Sequence, residues 1–317
     1  MIYALLFIVI AIMRVIQKVC SKSVSTEIAG PTYFHYGGYY QLLSAAFSII
    51  ALAIVGFTGF DHPTLLLAVA TAVFLAINIF SSIEALKSAS LIVTQMFAAG
   101  SILVPCIVGI FLFDEPMSIV KWIGMGVFIA SMCLLVYPPK EKRVKKEKMT
   151  LRTFVMLMID LLSNGMVMVV QKMFAKLVPN GNTATYSFLM FLANAVILYA
   201  SFAVIVFMKK NRVKVVKPVT EGDTVEAVET EEKIVRPLSK NLLICGAFLA
   251  FALFAVNLIV TELAKTMDSS VLFTISFAIS IIITMLVGCV YYKEKLTLVN
   301  IGGLALGLVS ILMLNLF

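Results

Sequence analysis

Ten apolar runs separated by polar gaps fill almost the whole chain: residues 2–22, 33–58, 64–86, 89–112, 118–137, 151–172, 184–208, 241–263, 269–292 and 297–317. Each is about 20 residues long, the length at which an α-helix crosses the hydrocarbon core of a bilayer. Most gaps are short. The two long ones are PPKEKRVKKEKMTLR, from Pro138, and the stretch from Lys209 to Lys240, basic at its start and acidic from Glu221 to Glu232. With few large apolar residues, 209–240 is expected to be a disordered charged insert. The first run, MIYALLFIVIAIMR, has no basic residue ahead of its apolar core and no small-residue cleavage site. It reads as a retained first helix rather than a signal peptide.

Composition agrees with the pattern. Hydrophobic residues make up 61% of the 317 and charged residues 13%, and the mean hydropathy is +1.04. A soluble domain of this length has no interior large enough to hide that much apolar surface. The net charge of +8 does not point to nucleic acid, because the basic residues sit in the gaps between runs, where orientation signals lie. The five cysteines all fall in apolar runs, with neither metal-ligand spacing nor a loop pair suited to a disulfide. They read as small buried hydrophobes.

The chain repeats itself. Gly109–Leu135 returns 179 positions later as Gly288–Leu314, aligning Glu115 with Glu294, Gly124 with Gly303 and Ser131 with Ser310. Val15-Ile16-Gln17-Lys18 returns as Val169-Val170-Gln171-Lys172, and Glu84-Ala85-Leu86-Lys87 as Glu262-Leu263-Ala264-Lys265. Runs 1 to 5 therefore map in order onto runs 6 to 10. Five is odd, so the second half enters the membrane from the opposite side. The expected fold is an all-α integral membrane protein: ten transmembrane helices as two inverted five-helix repeats. Residues 1–137 and 151–317 are the halves, and 138–150 is a basic cytoplasmic linker.

Of the 25 Lys and Arg residues, 20 fall in or beside odd-numbered gaps; only Lys121, Lys172, Lys176 and Lys265 flank even-numbered ones, and Arg14 lies inside run 1. The positive-inside rule then places the odd gaps in the cytoplasm and both termini outside.

The closing part of each half, SASLIVTQMFAAGSILVPCIVGIFLFDEPMSIVKWIGMGVFIAS and SSVLFTISFAISIIITMLVGCVYYKEKLTLVNIGGLALGLVSI, resembles EamA-like members of the drug/metabolite transporter superfamily. That pattern is an apolar helix, Gly-Glu, a Ser or Thr, then Ile-Gly opening the last helix. Here it reads Glu115, Ser118, Ile123-Gly124 and Glu294, Thr297, Gly302-Gly303, with Asp114 and Lys293 standing in the place of the Gly. The resemblance implies a secondary transporter whose helices 1–4 and 6–9 line a central cavity. Helices 5 and 10 would sit at the edge, open to a homodimer contact. The partners implied are a small-molecule substrate, drawn from small organic metabolites, amino acids, nucleotide sugars and drugs, and the lipid bilayer; nucleic acid is not among them.

Charges inside the membrane are the most informative candidates, since each costs about 2.5–3.5 kcal/mol on insertion scales. Arg14 either snorkels toward the cytoplasmic end of its helix or faces a cavity. Asp160, on a short side chain, is read as paired or functional. Asp160, Asn164 and Gln171 share one helical face, as do Arg14, Gln17, Lys18 and Ser21. Such stripes face either protein or a wet cavity. Counting depth from the helix ends puts Arg14 and Asp160 level with each other, so the two are expected to meet. The lone amides Asn78, Gln95 and Asn257 serve either as ligand contacts or as interhelical hydrogen bonds. Tyr36, Tyr39 and Tyr40, beside His35, form either an interfacial belt or a stacking surface for a substrate. Glu84 with Lys87, and Glu262 with Lys265, have the spacing of local helical ion pairs. Glu115 and Glu294 read as caps of the helices that follow them. Gly303 with Gly307, Gly124 with Gly126, and the Ser276, Ser280, Thr284 stripe signal close packing. Pro105 is expected to kink helix 4.

No Walker motif, HExxH or GxSxG occurs, so no catalytic residue, metal ligand or cofactor site is assigned. The resulting expectation is a multi-pass carrier of a bacterial plasma membrane. It moves a small organic solute by alternating access, with Asp160 offering a route for proton coupling. The substrate-binding candidates are Arg14, Gln17, Tyr36, Tyr40, Asn78, Gln95, Asp160, Asn164, Gln171 and Asn257. The alternative is a non-transporting scaffold or a sensory, partner-binding subunit; an integral-membrane enzyme ranks last.

Overall fold

The computed structural model describes residues 2–28, 30–56, 59, 61–113, 118–136, 150–208, 212–221, 224–233, 237–267, 269–293 and 298–316. Every apolar run is helical. The helices are α1 (Ile2–Val24), α2 (Thr32–Val55), α3 (His62–Ser88), α4 (Leu91–Gly100), α5 (Leu103–Phe113), α6 (Ile119–Val136), α7 (Leu151–Leu177), α8 (Thr183–Met208), α9 (Lys240–Leu263), α10 (Ser269–Val290) and α11 (Leu298–Leu316). Six spans among them are long and apolar enough to cross a membrane, α4 and α5 together counting as one. The polar gaps do local work as caps. Asp61, Ser90, Thr150 and Ser239 each accept a hydrogen bond from the backbone N–H three residues on, supplying an acceptor to a helix start that has none of its own.

The fourth run is two helices rather than one kinked helix. The break falls at Ser101-Ile102, with Ser101 four residues before Pro105. A proline ring clashes with the carbonyl four residues back and offers no N–H to it. The Ser101 carbonyl accepts instead from the Val104 N–H at 3.1 Å, while from α7 Asn164 Nδ2 donates to Ser101 Oγ at 2.7 Å and to the Ala98 carbonyl at 3.3 Å. Gly165 lets the broken segment settle there: a Cβ at that position would lie 2.5 Å from Val104 Cβ.

The insert departs from its expected disorder. Its backbone forms an antiparallel hairpin, β1 (Arg212–Glu221) with β2 (Thr224–Lys233). The sequence carries the reason: β-branched residues recur on both strands. The 138–149 part of the linker, Glu115 and Glu294 lie outside the described residues.

Packing sorts the helices into two apolar clusters. One joins α4, α5, α6, α10 and α11 with parts of α1, α7 and α9 around Phe97, Phe128 and Phe277. The other joins α2, α3 and α8 with the remaining parts of α1, α7 and α9 around Tyr36, Tyr40, Tyr186 and Phe191. The main neighbours are α2 with α8, α3 with α7, α6 with α11, α1 with α9, α3 with α8 and α2 with α9, followed by α1 with α10, α4 with α10 and α4 with α7. Close approach of α6 and α11 uses the small residues singled out above: Ser131 Oγ donates to the Gly303 carbonyl at 2.7 Å, and a Cβ on Gly307 would meet Met96 and Ser131. The outward surface is apolar, with Ile54, Phe111, Phe207, Val290 and Leu298 exposed, as suits a lipid-facing bundle. The chain reads as a multi-pass membrane protein.

Candidate functional site

A cavity of about 90 Å³ opens between the two clusters. Helix α1 supplies Arg14, Gln17, Lys18 and Ser21, at i, i+3, i+4 and i+7 on one face. Asn78 and Ser82 come from α3, Gln95 from α4, Asp160 and Asn164 from α7, and Tyr40 from α2. Leu75, Ile79, Ile83, Leu249, Leu253 and Phe277 complete the wall with apolar surface. Polar stripes on three apolar helices have thus been turned toward a single space rather than toward lipid.

Asp160 is fully buried. Asn78 Nδ2 donates to its Oδ1 at 2.8 Å and also lies 3.2 Å from its carbonyl oxygen. Lys18 Nζ stands 3.6 Å from Oδ2 and donates to Ser82 Oγ at 2.9 Å. Two unlike charges out of water need each other: removing either partner leaves the other unpaired, at a cost of about 3–5 kcal/mol.

The expected meeting of Arg14 with Asp160 is therefore corrected. Both line the cavity, but Lys18 takes the carboxylate. The reason is the neighbourhood of α1, which packs on α9 and α10. Arg14 is carried to α10, where its Cζ lies 3.9 Å from the centroid of the Phe277 ring. Among the described residues its Nε has no hydrogen-bond partner, and neither has Gln17 Nε2 one turn along.

Seven of the ten expected site residues line the cavity: Arg14, Gln17, Tyr40, Asn78, Gln95, Asp160 and Asn164. Three do not. Gln171 Nε2 donates to Asn257 Oδ1 at 2.6 Å, and Asn257 Nδ2 to the Leu253 carbonyl at 2.9 Å, so these two amides serve each other and tie α7 to α9. Tyr36 is buried edge-on against Tyr40, with ring centroids 5.3 Å apart. Within the cavity, Gln95 is held by a 3.0 Å hydrogen bond to Ser280 Oγ. Lys18, Ser82 and Phe277 were absent from the expected set. Lys18 was legible as one turn beyond Arg14 on the same face, and Ser82 as one turn beyond Asn78. Phe277 has no signal beyond being aromatic. Among the described residues, no group of three His, Cys, Asp or Glu is placed to hold a metal ion.

Two further polar knots lie at helix ends. Glu84 accepts from Tyr33 of α2 and pairs with Lys87 at 3.0 Å and with Arg152 of α7 at 2.7 Å. Glu262 pairs with Lys265 at 3.1 Å and accepts from Thr183 of α8. Both local Glu–Lys pairs fall at the expected i, i+3 spacing.

No family model and no curated protein matches the chain. Among solved structures, one crystal structure of a protein aligns over 98% of this chain and 96% of its own length, at 14% identity and a TM-score of 0.61. The whole chain thus shares its fold with a protein of nearly equal extent. At that identity the likeness shows the fold alone.

Proposed function

We propose that the chain is a carrier of the drug/metabolite transporter type, built from two inverted five-helix repeats. It moves a small organic solute through the cavity by alternating access. The observation that carries this reading is the cavity itself: three charged side chains and a set of amides gathered from both halves inside an apolar bundle. A solid scaffold gains nothing from burying them.

The contacts between the halves support the repeat. Ser44 Oγ donates to the Ala250 carbonyl, and Asn194 Nδ2 to the Ala72 carbonyl. Moving from Ser44 to Asn194 is a step of 150, and from Ala72 to Ala250 a step of 178, so the two bonds exchange when the halves are swapped. Within the halves, Tyr33 with Glu84 in the first and Thr183 with Glu262 in the second correspond by the same two steps. The pairings of α3 with α7 and α1 with α9 also interchange, as do α4 with α7 and α1 with α10. Lys293, standing where the family pattern has Gly, holds a φ of 50°, in the left-handed region that glycine enters freely.

The cavity holds about three waters at roughly 30 Å³ each, so a larger solute enters only when one end of the bundle opens. In this reading the Glu84 and Glu262 knots are the ties that break, one for each side. The distribution of Lys and Arg favours odd-numbered loops in the cytoplasm of a bacterial cell. The exposed outer faces of α6 and α11, with Trp122, Ile129, Val309 and Leu312, offer the surface for a homodimer.

The test is a thermal-shift screen of the purified protein against small metabolites, followed by counterflow of each hit in proteoliposomes. A ligand at a hundred times its Kd adds about 2.7 kcal/mol of stability. The carrier reading expects protein-dependent flux of a stabilising solute. Ligands that stabilise but never cross would replace it with the sensory, non-transporting alternative.

A further inference from the structure

We infer that the solute seated in this cavity is a small organic monoanion, a monocarboxylate, held by Arg14 and Gln17 with its carbon chain against Leu75, Leu249 and Leu253. The inference rests on the cavity being the ligand site proposed above and goes on to name the class of ligand.

Charge comes first. The charged groups lining the cavity are Arg14, Lys18 and Asp160. Lys18 and Asp160 offset each other at 3.6 Å, and each has a further polar partner, Ser82 for the lysine and Asn78 for the carboxylate. Arg14 has no carboxylate within ion-pair distance among the described residues. The lining therefore carries one uncompensated positive charge.

Hydrogen-bonding capacity points the same way. Among the described residues, the cavity-lining atoms lacking a hydrogen-bond partner are Arg14 Nε and Gln17 Nε2, both donors on α1, and Asp160 Oδ2, an acceptor that faces Lys18 at 3.6 Å. A guanidinium has five N–H groups in a planar fork that matches the two oxygens of a carboxylate. An amine would bring further donors beside the two that Arg14 and Gln17 leave open, and would repel Arg14. A neutral amide would leave the charge unanswered.

Arg14 does not escape to the headgroups. It stands ten residues before Val24, the end of α1, about 15 Å along the axis, farther than its side chain reaches. The cation–π contact with Phe277, Cζ 3.9 Å from the ring centroid, holds the guanidinium at the cavity wall. The rest of the wall near α9 and α3 is Leu75, Leu249 and Leu253, which favours a short hydrocarbon tail. A volume of about 90 Å³ admits a carboxylate with only a few carbons, and excludes a phosphorylated sugar or a nucleotide without opening.

The probes are butyrate, butyramide and butylamine, equal in length and different in charge, titrated onto the purified full chain in detergent. Butyrate is expected to raise the melting temperature saturably, and the other two to leave it unchanged. Arg14→Gln is expected to weaken butyrate about tenfold or more, the scale of a charge-assisted hydrogen bond, with Arg14→Lys intermediate. Should Arg14→Gln not fold, the wild-type chain still decides. Butyrate, and not butylamine, is expected to shield Arg14 from phenylglyoxal, read by mass spectrometry of the peptide that carries it. Stabilisation by butylamine or butyramide at least equal to that by butyrate overturns the inference. So does no response to butyrate, or equal modification of Arg14 with and without it. Butyrate that binds but does not cross a proteoliposome contradicts the carrier reading alone, and transport of cations alone contradicts only the inference.

Discussion

Lys18 of α1 and Asp160 of α7 face each other at 3.6 Å across the cavity, and Asp160 is fully buried. The pair joins the two halves of the chain at the point where an apolar bundle least tolerates charge. Because each charge compensates the other, loss of one is worse than loss of both. Asp160→Asn is expected to cost about 3–5 kcal/mol of stability, and Lys18→Met a similar amount. The double variant Lys18→Met, Asp160→Asn should recover at least half of the loss. Thermal unfolding of the four proteins in one detergent closes the cycle. Additive losses would mean that the two charges do not interact.

Gly165 carries the second prediction. It faces Val104 where the fourth run is broken, and its missing Cβ leaves no spare room. Overpacking at such a contact costs about 1–3 kcal/mol. Gly165→Ala should destabilise by that amount, and adding Val104→Ala should return little of it, since Val104 Cβ at 2.5 Å and the Ser101 carbonyl oxygen at 2.8 Å both stay in place. Unfolding temperatures of the single and double variants check this.

Lys293 holds a φ of 50° just after α10. A side chain in the left-handed region costs about 1–2 kcal/mol, and glycine's extra freedom in the unfolded chain takes back about 0.5–1 kcal/mol. Lys293→Gly should therefore stabilise by roughly 0.5–1 kcal/mol. A lower melting temperature would mean that the lysine side chain makes a contact worth more than the strain.

These residues also mark how much was legible beforehand. Helix positions were readable because in a bilayer backbone groups must bond within the segment, which leaves helix length and apolar content as the only variables. The stripes on α1 and α7 were readable from spacing alone, and their polar faces meet in one cavity. Which charge met which was not. That depended on α1 lying against α10, a matter of helix arrangement with no trace in the local pattern, and it put Arg14 on Phe277 and gave Asp160 to Lys18. Gln171 illustrates the complementary error. It shares the face of Asp160 and Asn164, but it sits farther along α7, where Asn257 of α9 satisfies it instead of the cavity. The hairpin in the insert was missed because charge was weighed above the recurrence of β-branched residues.

The central claim is that the cavity is reached from each side of the membrane in turn. Leu253 lines it and stands ten residues from the end of α9 at Leu263, about 15 Å, so it is remote from both surfaces. With the native cysteines replaced by alanine, Leu253→Cys is exposed to an impermeant thiol reagent in sealed vesicles of each orientation. Alternating access predicts modification from both faces, slowed from both by a bound ligand. Modification from neither face, or from one face only, would contradict it.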